Sequence, residues 1–263
     1  MSFNILFITQ DDPFYVRCFF AEFFNIYPNI REIKGVVIQG TMGKKSRWDL
    51  ARQMYSFYGP VDFLRMGVRY IRTKILNKIA ALYPKEKWLN LSQLCKTNNI
   101  DVLCQDNIHQ PEFLSELEKM NLDLIISIAA PTIFRQELID LPRFGCINIH
   151  HAPLPRYRGM MPNFWQLLHG EKMVGLTIHK INPKIDEGEI ILQKQIPVNP
   201  EESLDALIKR TKQQGAHYMV EAIEMMRNGS VQYQENRPVE GSYFSFPTRE
   251  DVRKFRATGH RLL

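Results

Sequence analysis

Short apolar runs, each followed by a helix-length segment, set the strongest constraint on what this chain can fold into. The runs are NILFIT at 4–9, KGVVIQ at 34–39, DVLC at 101–104, DLIISI at 123–128 and CINIH at 146–150. Helical patterns fall at 14–24, 91–98, 111–120 and 132–139. Strands alternating with helices predict a mostly parallel sheet covered on both faces. Two further strands are expected at 174–181 and 190–198, joined by a turn over 182–188, and then a long helix at 203–227. The remaining tail is aromatic and polar, with a hairpin expected before a helix begun at Thr248. In an open sheet of this kind, ligands bind outside the carboxyl ends of the strands.

The chain has 263 residues, 44% of them apolar, enough for one large core. No run approaches the roughly 20 apolar residues of a membrane span. The start, MSFNILFITQDD, lacks a basic segment before a long apolar one and reads as a first strand, not a secretory signal. Cys18, Cys95, Cys104 and Cys146 have no CxxC spacing and sit among apolar residues. They are expected to be reduced core residues in a cytoplasmic protein without a metal site.

The net charge of +6 is uneven. Residues 41–88 carry eleven Lys or Arg against Asp49, Asp62 and Glu86, a net of +8 (11 − 3), which leaves −2 (6 − 8) for the rest. A general nucleic-acid binder spreads basic residues over its fold, so nucleic acid is not the expected partner. The basic segment interrupts the strand–helix alternation with two helical patterns separated by Pro60, and Phe63, Met66, Tyr70 and Ile71 form an apolar stripe in the second. Four readings stay open for it: neutralising a diphosphate, lying on an anionic membrane surface, burying its stripe in a homodimer, or presenting a solvated face around a packed helix.

There is no G-x-G-x-x-G and no G-x-x-x-x-G-K-[ST]. The first strand runs into TQDDPFYV, where Asp11 and Asp12 would repel a phosphate and no glycine opens the backbone to it. Dinucleotide dehydrogenases and P-loop enzymes are thereby disfavoured.

The densest chemistry lies in INIHHAPLPRYRG at 147–159. Asn148 and His150 leave the strand on one face. An amide N–H can stabilise an oxygen gaining negative charge, and an imidazole beside it can move a proton near neutral pH. Read alone, the pair is equally a loop-satisfying amide and a packed histidine. Asp186, in KIDEGEIILQ, supplies a carboxylate that would hold a histidine's tautomer, or else an ordinary turn aspartate ahead of Gly188.

The order of these elements resembles the 10-formyltetrahydrofolate-dependent formyltransferases, which include the methionyl-tRNA, glycinamide ribonucleotide and nucleotide-sugar enzymes. The residues that carry it are Asn148 and His150; Leu154–Pro155, Tyr157–Arg158–Gly159 and Pro162; Gly175, Thr177 and His179; and Asp186, Gly188 and Ile190. The convincing match spans about residues 122–198. The resemblance implies a Rossmann-like formyltransferase fold, with a catalytic domain over 1–200 carrying the helical insert 41–88. A small C-terminal appendage over 201–263 would follow.

It also implies that Asn148 binds the formyl oxygen as it gains charge, that His150 mediates proton transfer, and that Asp186 orients and polarises His150. His151 should face the other side of the strand without chemistry, and His179 should support the site. The pterin of 10-formyltetrahydrofolate would be held mainly by backbone at Ala130, Ile133, Phe134, Asn182 and Ile185. Arg156, Arg158 and Asp11 are the acceptor-side candidates; the two arginines either meet an anionic substrate or fold their loop onto the sheet.

The expected acceptor is a primary amine on a nucleotide-linked amino sugar, as in polysaccharide biosynthesis. The acidic first loop disfavours glycinamide ribonucleotide. The roughly 60 residues after Val198 disfavour methionyl-tRNA, whose enzymes carry a longer C-terminal domain. Hydroxyornithine or another small amine is the alternative, and a non-catalytic folate-fold binding protein is the remotest. Tyr243, Phe244 and Phe246 either stack on a base or pack against the core.

Overall fold

A computed structural model describes residues 3–40, 46–80, 83 and 89–263. The segments 41–45, 81–82 and 84–88 of the basic insert lie outside the described residues. The strands are β1 (Ile5–Gln10), β2 (Ile33–Gln39), β3 (Val102–Cys104), β4 (Leu124–Ile128), β5 (Cys146–His150), β6 (Arg158–Gly159), β7 (Met173–Lys180), β8 (Ile190–Pro197) and β9 (Tyr243–Phe244). The helices are α1 (Val16–Ile26), α2 (Arg47–Ala80), α3 (Leu91–Thr97), α4 (Pro111–Lys119), α5 (Gln136–Ile139), α6 (Pro162–Leu168), α7 (Leu204–Arg227) and α8 (Arg249–Ala257).

Seven strands among the described residues form one sheet in the order β3-β2-β1-β4-β5-β7-β8. β3, β2, β1, β4 and β5 run parallel, and β7 lies antiparallel between β5 and β8. The protein therefore has the mostly parallel α/β architecture read from the sequence. Two cores flank the sheet. Ile147 and Ile149 of β5 join the larger one with α1, α3 and α7, while Cys146 joins a smaller one with α4 and α5.

The larger core is aromatic because α1 projects Phe19, Phe20 and Phe23 onto Phe7 of β1, with ring centroids of Phe20 and Phe23 at 5.3 and 5.1 Å from Phe7. Such edge-to-face pairs add to the gain from burying large rings at the sheet centre. α7 crosses the same face, and Leu204, Leu207, Met219 and Ile223 enter this core, as do Val252 and Phe255 of α8. Residues after 200 thus share the sheet's own core.

Two expectations are corrected, and one helix was not expected. The tail forms no hairpin: β9 pairs in parallel with β6, and Gln234 bridges to Ile190. Pro238 and Pro247 break the segment, and each short piece finds a strand edge elsewhere. The helix expected over 132–139 is confined to α5, because the backbone leaves β4 through a positive φ at Ala129 (53°) and Phe134 turns into the smaller core. α6 had no amphipathic signal, since Asn163, Phe164, Trp165, Gln166 and Leu167 are all buried. Pro162 begins this helix.

Candidate active site

Asn148 and His150 sit at the carboxyl end of β5, on the face away from α7. Across the antiparallel ladder Asn148 stands opposite His179, and His150 opposite Thr177. Nδ2 of Asn148 lies 3.2 Å from Nε2 of His179, while Nδ1 of His179 meets the carbonyl oxygen of Lys180 at 2.7 Å. A carbonyl only accepts, so Nδ1 of His179 carries the hydrogen and Nε2 accepts from the amide. Burial pushes the pKa of His179 down to about 4, against the raising pull of Asp186. His179 is therefore neutral at pH 7, and one of the two amide hydrogens of Asn148 remains for a ligand.

His150 is fixed from its other ring nitrogen. Nε2 donates to the carbonyl oxygen of Tyr157 at 2.8 Å, which leaves Nδ1 as the nitrogen that exchanges a proton. That atom faces Oδ2 of Asp186 at 3.6 Å. The separation slightly exceeds a direct hydrogen bond and is too short for a water between the two atoms, so a small closure of either side chain completes the contact. The same Oδ2 accepts the backbone N–H of Gly159 at 2.9 Å, and Oδ1 lies 3.7 Å from Nε2 of His179. One carboxylate thus serves both histidines.

The turn that delivers Asp186 is built by backbone fit. Asp186 itself has a φ of 54°. A Cβ on Gly188 would fall 1.8 Å from the carbonyl oxygen of Lys180, so only glycine lets the two chains close there. Asn236, buried in the tail, donates from Nδ2 to the carbonyls of Asp186 (2.9 Å) and Gly188 (3.1 Å).

The loop after β5 is clamped to this turn. Arg158 forms an ion pair with Glu187, and Arg156 pairs with Glu171 at 3.0 Å. Tyr157 donates to Glu171 at 2.9 Å, stacks on Phe244 at 5.7 Å, and has its pKa pushed up to about 12 by burial and that carboxylate. Both arginines are thus engaged by carboxylates of the fold, the loop-anchoring alternative. Gly159 has a φ of 94°, and a Cβ there would meet the carbonyl oxygen of Phe244 at 2.3 Å. Phe244 stacks on Trp165 at 4.6 Å and Phe246 packs at a tilt on Phe57 at 5.3 Å, so these aromatics pack against the core, while Tyr243 is exposed.

The other sequence candidates separate. His151 turns to the α7 side: its Cε1 lies 3.6 Å from where a Cβ on Gly215 would be, it is buried, and both ring nitrogens lack a partner among the described residues. Asp11 lines a different space, a cavity of about 440 Å³ at the ends of β1 and β2 shared with Arg17, Gln39, Lys74 and Asn77. None of Asn148, His150 and Asp186 lines that cavity. Next to Asp11, the Asp12 carboxyl accepts the N–H groups of Phe14 (2.6 Å) and Tyr15 (2.9 Å), so the amides ahead of α1 are already engaged by the chain, while burial pushes the Asp12 pKa up.

Of the backbone candidates, Ile133 and Ile185 expose their side chains, Ala130 and Asn182 are half-buried, and Phe134 is buried in the core. The N–H groups of Ile133, Phe134 and Ile185 donate to no described residue. Free donors beside exposed apolar side chains fit a flat heterocycle held by main chain.

Sequence reasoning did not find Asn236 or the Tyr157 carbonyl. Asn236 lies 50 residues from Asp186 in an unremarkable ENRP context, and a carbonyl leaves no side-chain signal.

Among described residues no helix is long and apolar enough to cross a membrane. A family model described as formyl transferase matches residues 72–223, more than half of the chain. The methionyl-tRNA formyltransferase of Syntrophus aciditrophicus is 36% identical over 152 residues, 58% of this chain and 49% of that protein. The chain spans about half the length of the curated relatives it matches. The N-formyltransferase of Helicobacter canadensis, solved with folinic acid and dTDP-3-aminofucose, superposes with a TM-score of 0.56 at 15% identity, over 97% of this chain and 80% of that one. Glycinamide ribonucleotide transformylase 1 of Symbiobacterium toebii gives 0.57 at 15% identity, over 90% of this chain and 95% of that one. At those identities the two structures speak to the fold alone. The family's enzymes use 10-formyltetrahydrofolate as formyl donor, and this chain belongs to the formyl transferase family.

Proposed function

We propose that the chain transfers a formyl group from 10-formyltetrahydrofolate to a primary amine, with Asn148, His150 and Asp186 as its catalytic residues. The observation that carries this reading is one free amide hydrogen on Asn148 and one exchangeable nitrogen on His150 at the same strand end, with Asp186 facing that nitrogen and the Tyr157 carbonyl holding the other. The donor supplies an activated formyl carbon. Asn148 donates to the formyl oxygen as it gains charge, a contribution of about 3–4 kcal/mol in comparable oxyanion sites. As the amine nitrogen bonds to the formyl carbon, Nδ1 of His150 takes the proton that the amine must lose, Asp186 stabilises the resulting imidazolium, and the proton is returned to N10 as the N10–formyl bond breaks and tetrahydrofolate leaves. His179 accepts from Asn148 and holds its amide in place. Ala130, Ile133, Phe134, Asn182 and Ile185 present main chain to the pterin.

The acceptor we favour is a nucleotide-linked amino sugar, within polysaccharide biosynthesis in the cytoplasm. One observation supports it: a structural neighbour holds dTDP-3-aminofucose. Of the acceptor-side candidates, Arg156 and Arg158 would shape the acceptor side through the loop they anchor to Glu171 and Glu187, and Asp11 would meet an acceptor only from the neighbouring cavity. Methionyl-tRNA is the second reading, favoured by the 36% identity to the Syntrophus enzyme.

A transfer assay separates them. The protein is incubated with 10-formyltetrahydrofolate and, in parallel, TDP- and UDP-linked 3-amino and 4-amino sugars, hydroxyornithine and methionyl-tRNA, and products are read by mass spectrometry. A formyl gain on an amino sugar supports the favoured acceptor; a gain on methionyl-tRNA alone replaces it. No gain on any amine, together with no binding of the folate, defeats the whole reading.

A further inference from the structure

Of the stripe Phe63, Met66, Tyr70 and Ile71 read from the sequence, Met66 is buried against the body of the protein and Phe63 half-buried, while Tyr70 and Ile71 are exposed, and Ile71 belongs to a second apolar band on the opposite face of the same helix. Val61, Leu64, Val68, Ile71, Ile75 and Ile79 are each 39–69% exposed. At about 100° per residue they fall within a band about 80° wide and about 27 Å long. Arg65 and Arg72 border one edge of that band, Lys74 and Lys78 the other.

The helix cannot turn this face inward. After a break at Gly59 (φ 70°, ψ 175°) its inner side is tied down along its length. Arg256 donates to Asp62 at 2.9 Å and to the carbonyl of Tyr58 at 2.7 Å. Arg69 donates to Asp205 at 2.6 Å, and Gln93 to the carbonyl of Asn77 at 3.0 Å. Met66 and Ala80 are buried on that side. The apolar band is thus a fixed outward ridge.

Its charge selects the occupant. The spacing of 61, 64, 68, 71 and 75 is that of a coiled-coil seam, yet every charged residue bordering it is basic. A second copy would set Arg against Lys in a parallel pair, and Arg against Arg or Lys against Lys in an antiparallel one, so like charges meet in either orientation. A convex apolar ridge with basic borders instead matches a deformable, negatively charged, apolar-centred surface. We propose that α2 docks this face on an anionic lipid bilayer, lying in its interface without crossing it. The proposal rests on the helix alone and is independent of the acceptor.

The test is flotation of the full chain with vesicles of phosphatidylcholine alone or with about a third phosphatidylglycerol. The expected result is at least about tenfold more protein on the anionic vesicles, reduced by high salt. Ile71→Glu with Ile75→Glu, and separately Arg65→Glu with Arg72→Glu, should each lower that binding about tenfold or more. All four side chains are exposed, so circular dichroism and the thermal midpoint should stay at parental values. No binding by the folded parent protein, or binding indifferent to both double variants, overturns the proposal. A concentration-dependent dimer that Ile71→Glu with Ile75→Glu abolishes, without vesicle binding, assigns the face to a second copy instead.

Discussion

Asn148 and His179 face each other across the β5–β7 ladder, amide nitrogen to imidazole nitrogen at 3.2 Å. A neutral imidazole locked by the Lys180 carbonyl holds one hydrogen of the amide and leaves the other for chemistry. Asn148→Ala should therefore lower turnover by about a hundredfold to a thousandfold while the fold persists. His179→Ala should cost less, since it frees the amide without removing it. Steady-state rates beside circular dichroism check both, and near-parental turnover in Asn148→Ala would defeat the oxyanion assignment.

Two buried histidines should make the protein lose stability in mild acid. His179 has a folded pKa of about 4, and burial holds His151 well below the usual histidine value. Above about pH 6.5 both histidines are neutral in either state and contribute no slope. Below it the unfolded chain binds protons that the folded chain refuses, so stability falls with pH down to about 4, by about 3 kcal/mol for His179 alone. Unfolding midpoints in denaturant at pH 7 and pH 5 read this directly.

His151 carries two buried ring nitrogens without a described partner. His151→Leu should be neutral or stabilising at pH 7, by up to about 1 kcal/mol, and should flatten the acid slope. Turnover should stay near the parental rate. A loss of activity with the fold intact would give this residue a role in the reaction.

Gly188→Ala should be among the most harmful single-methyl changes available. The added carbon would overlap the Lys180 carbonyl at 1.8 Å, and backbone cannot swing aside as a side chain does. A loss of about 3 kcal/mol is expected, with turnover falling further because Asp186 rides on the same turn. Thermal melts and rates on the surviving folded fraction separate the two effects.

Asn236→Ala removes both hydrogen bonds to the turn without touching a catalytic side chain. It should cost about 2 kcal/mol and lower turnover, whereas Asn236→Asp keeps the shape and loses the donor. Equal, parental activity in both variants would show that the turn holds without its clamp.

Reading these residues in order recovered the strands, the parallel sheet and the Asn–x–His pair because each depends on local pattern. Burial on both faces demands unbroken apolar runs, and a strand's period of two puts Asn148 and His150 on one side. α6 stayed hidden because a helix buried all round has no polar face to reveal its period. The tail stayed hidden because its short pieces pair with β6 and β8, far away in sequence.

Sequence alone determined the family, the sheet and the residue types able to move a proton and hold an oxyanion. Tertiary structure decided which nitrogen of His150 is free, since the hydrogen on its partner atom is claimed by the Tyr157 carbonyl. It also decided that both loop arginines are engaged by Glu171 and Glu187, and that the apolar ridge of α2 faces out. These outcomes hang on which backbone group or distant side chain comes within about 3 Å. Such proximity is set by the closing of the whole fold, so no local stretch of residues encodes it.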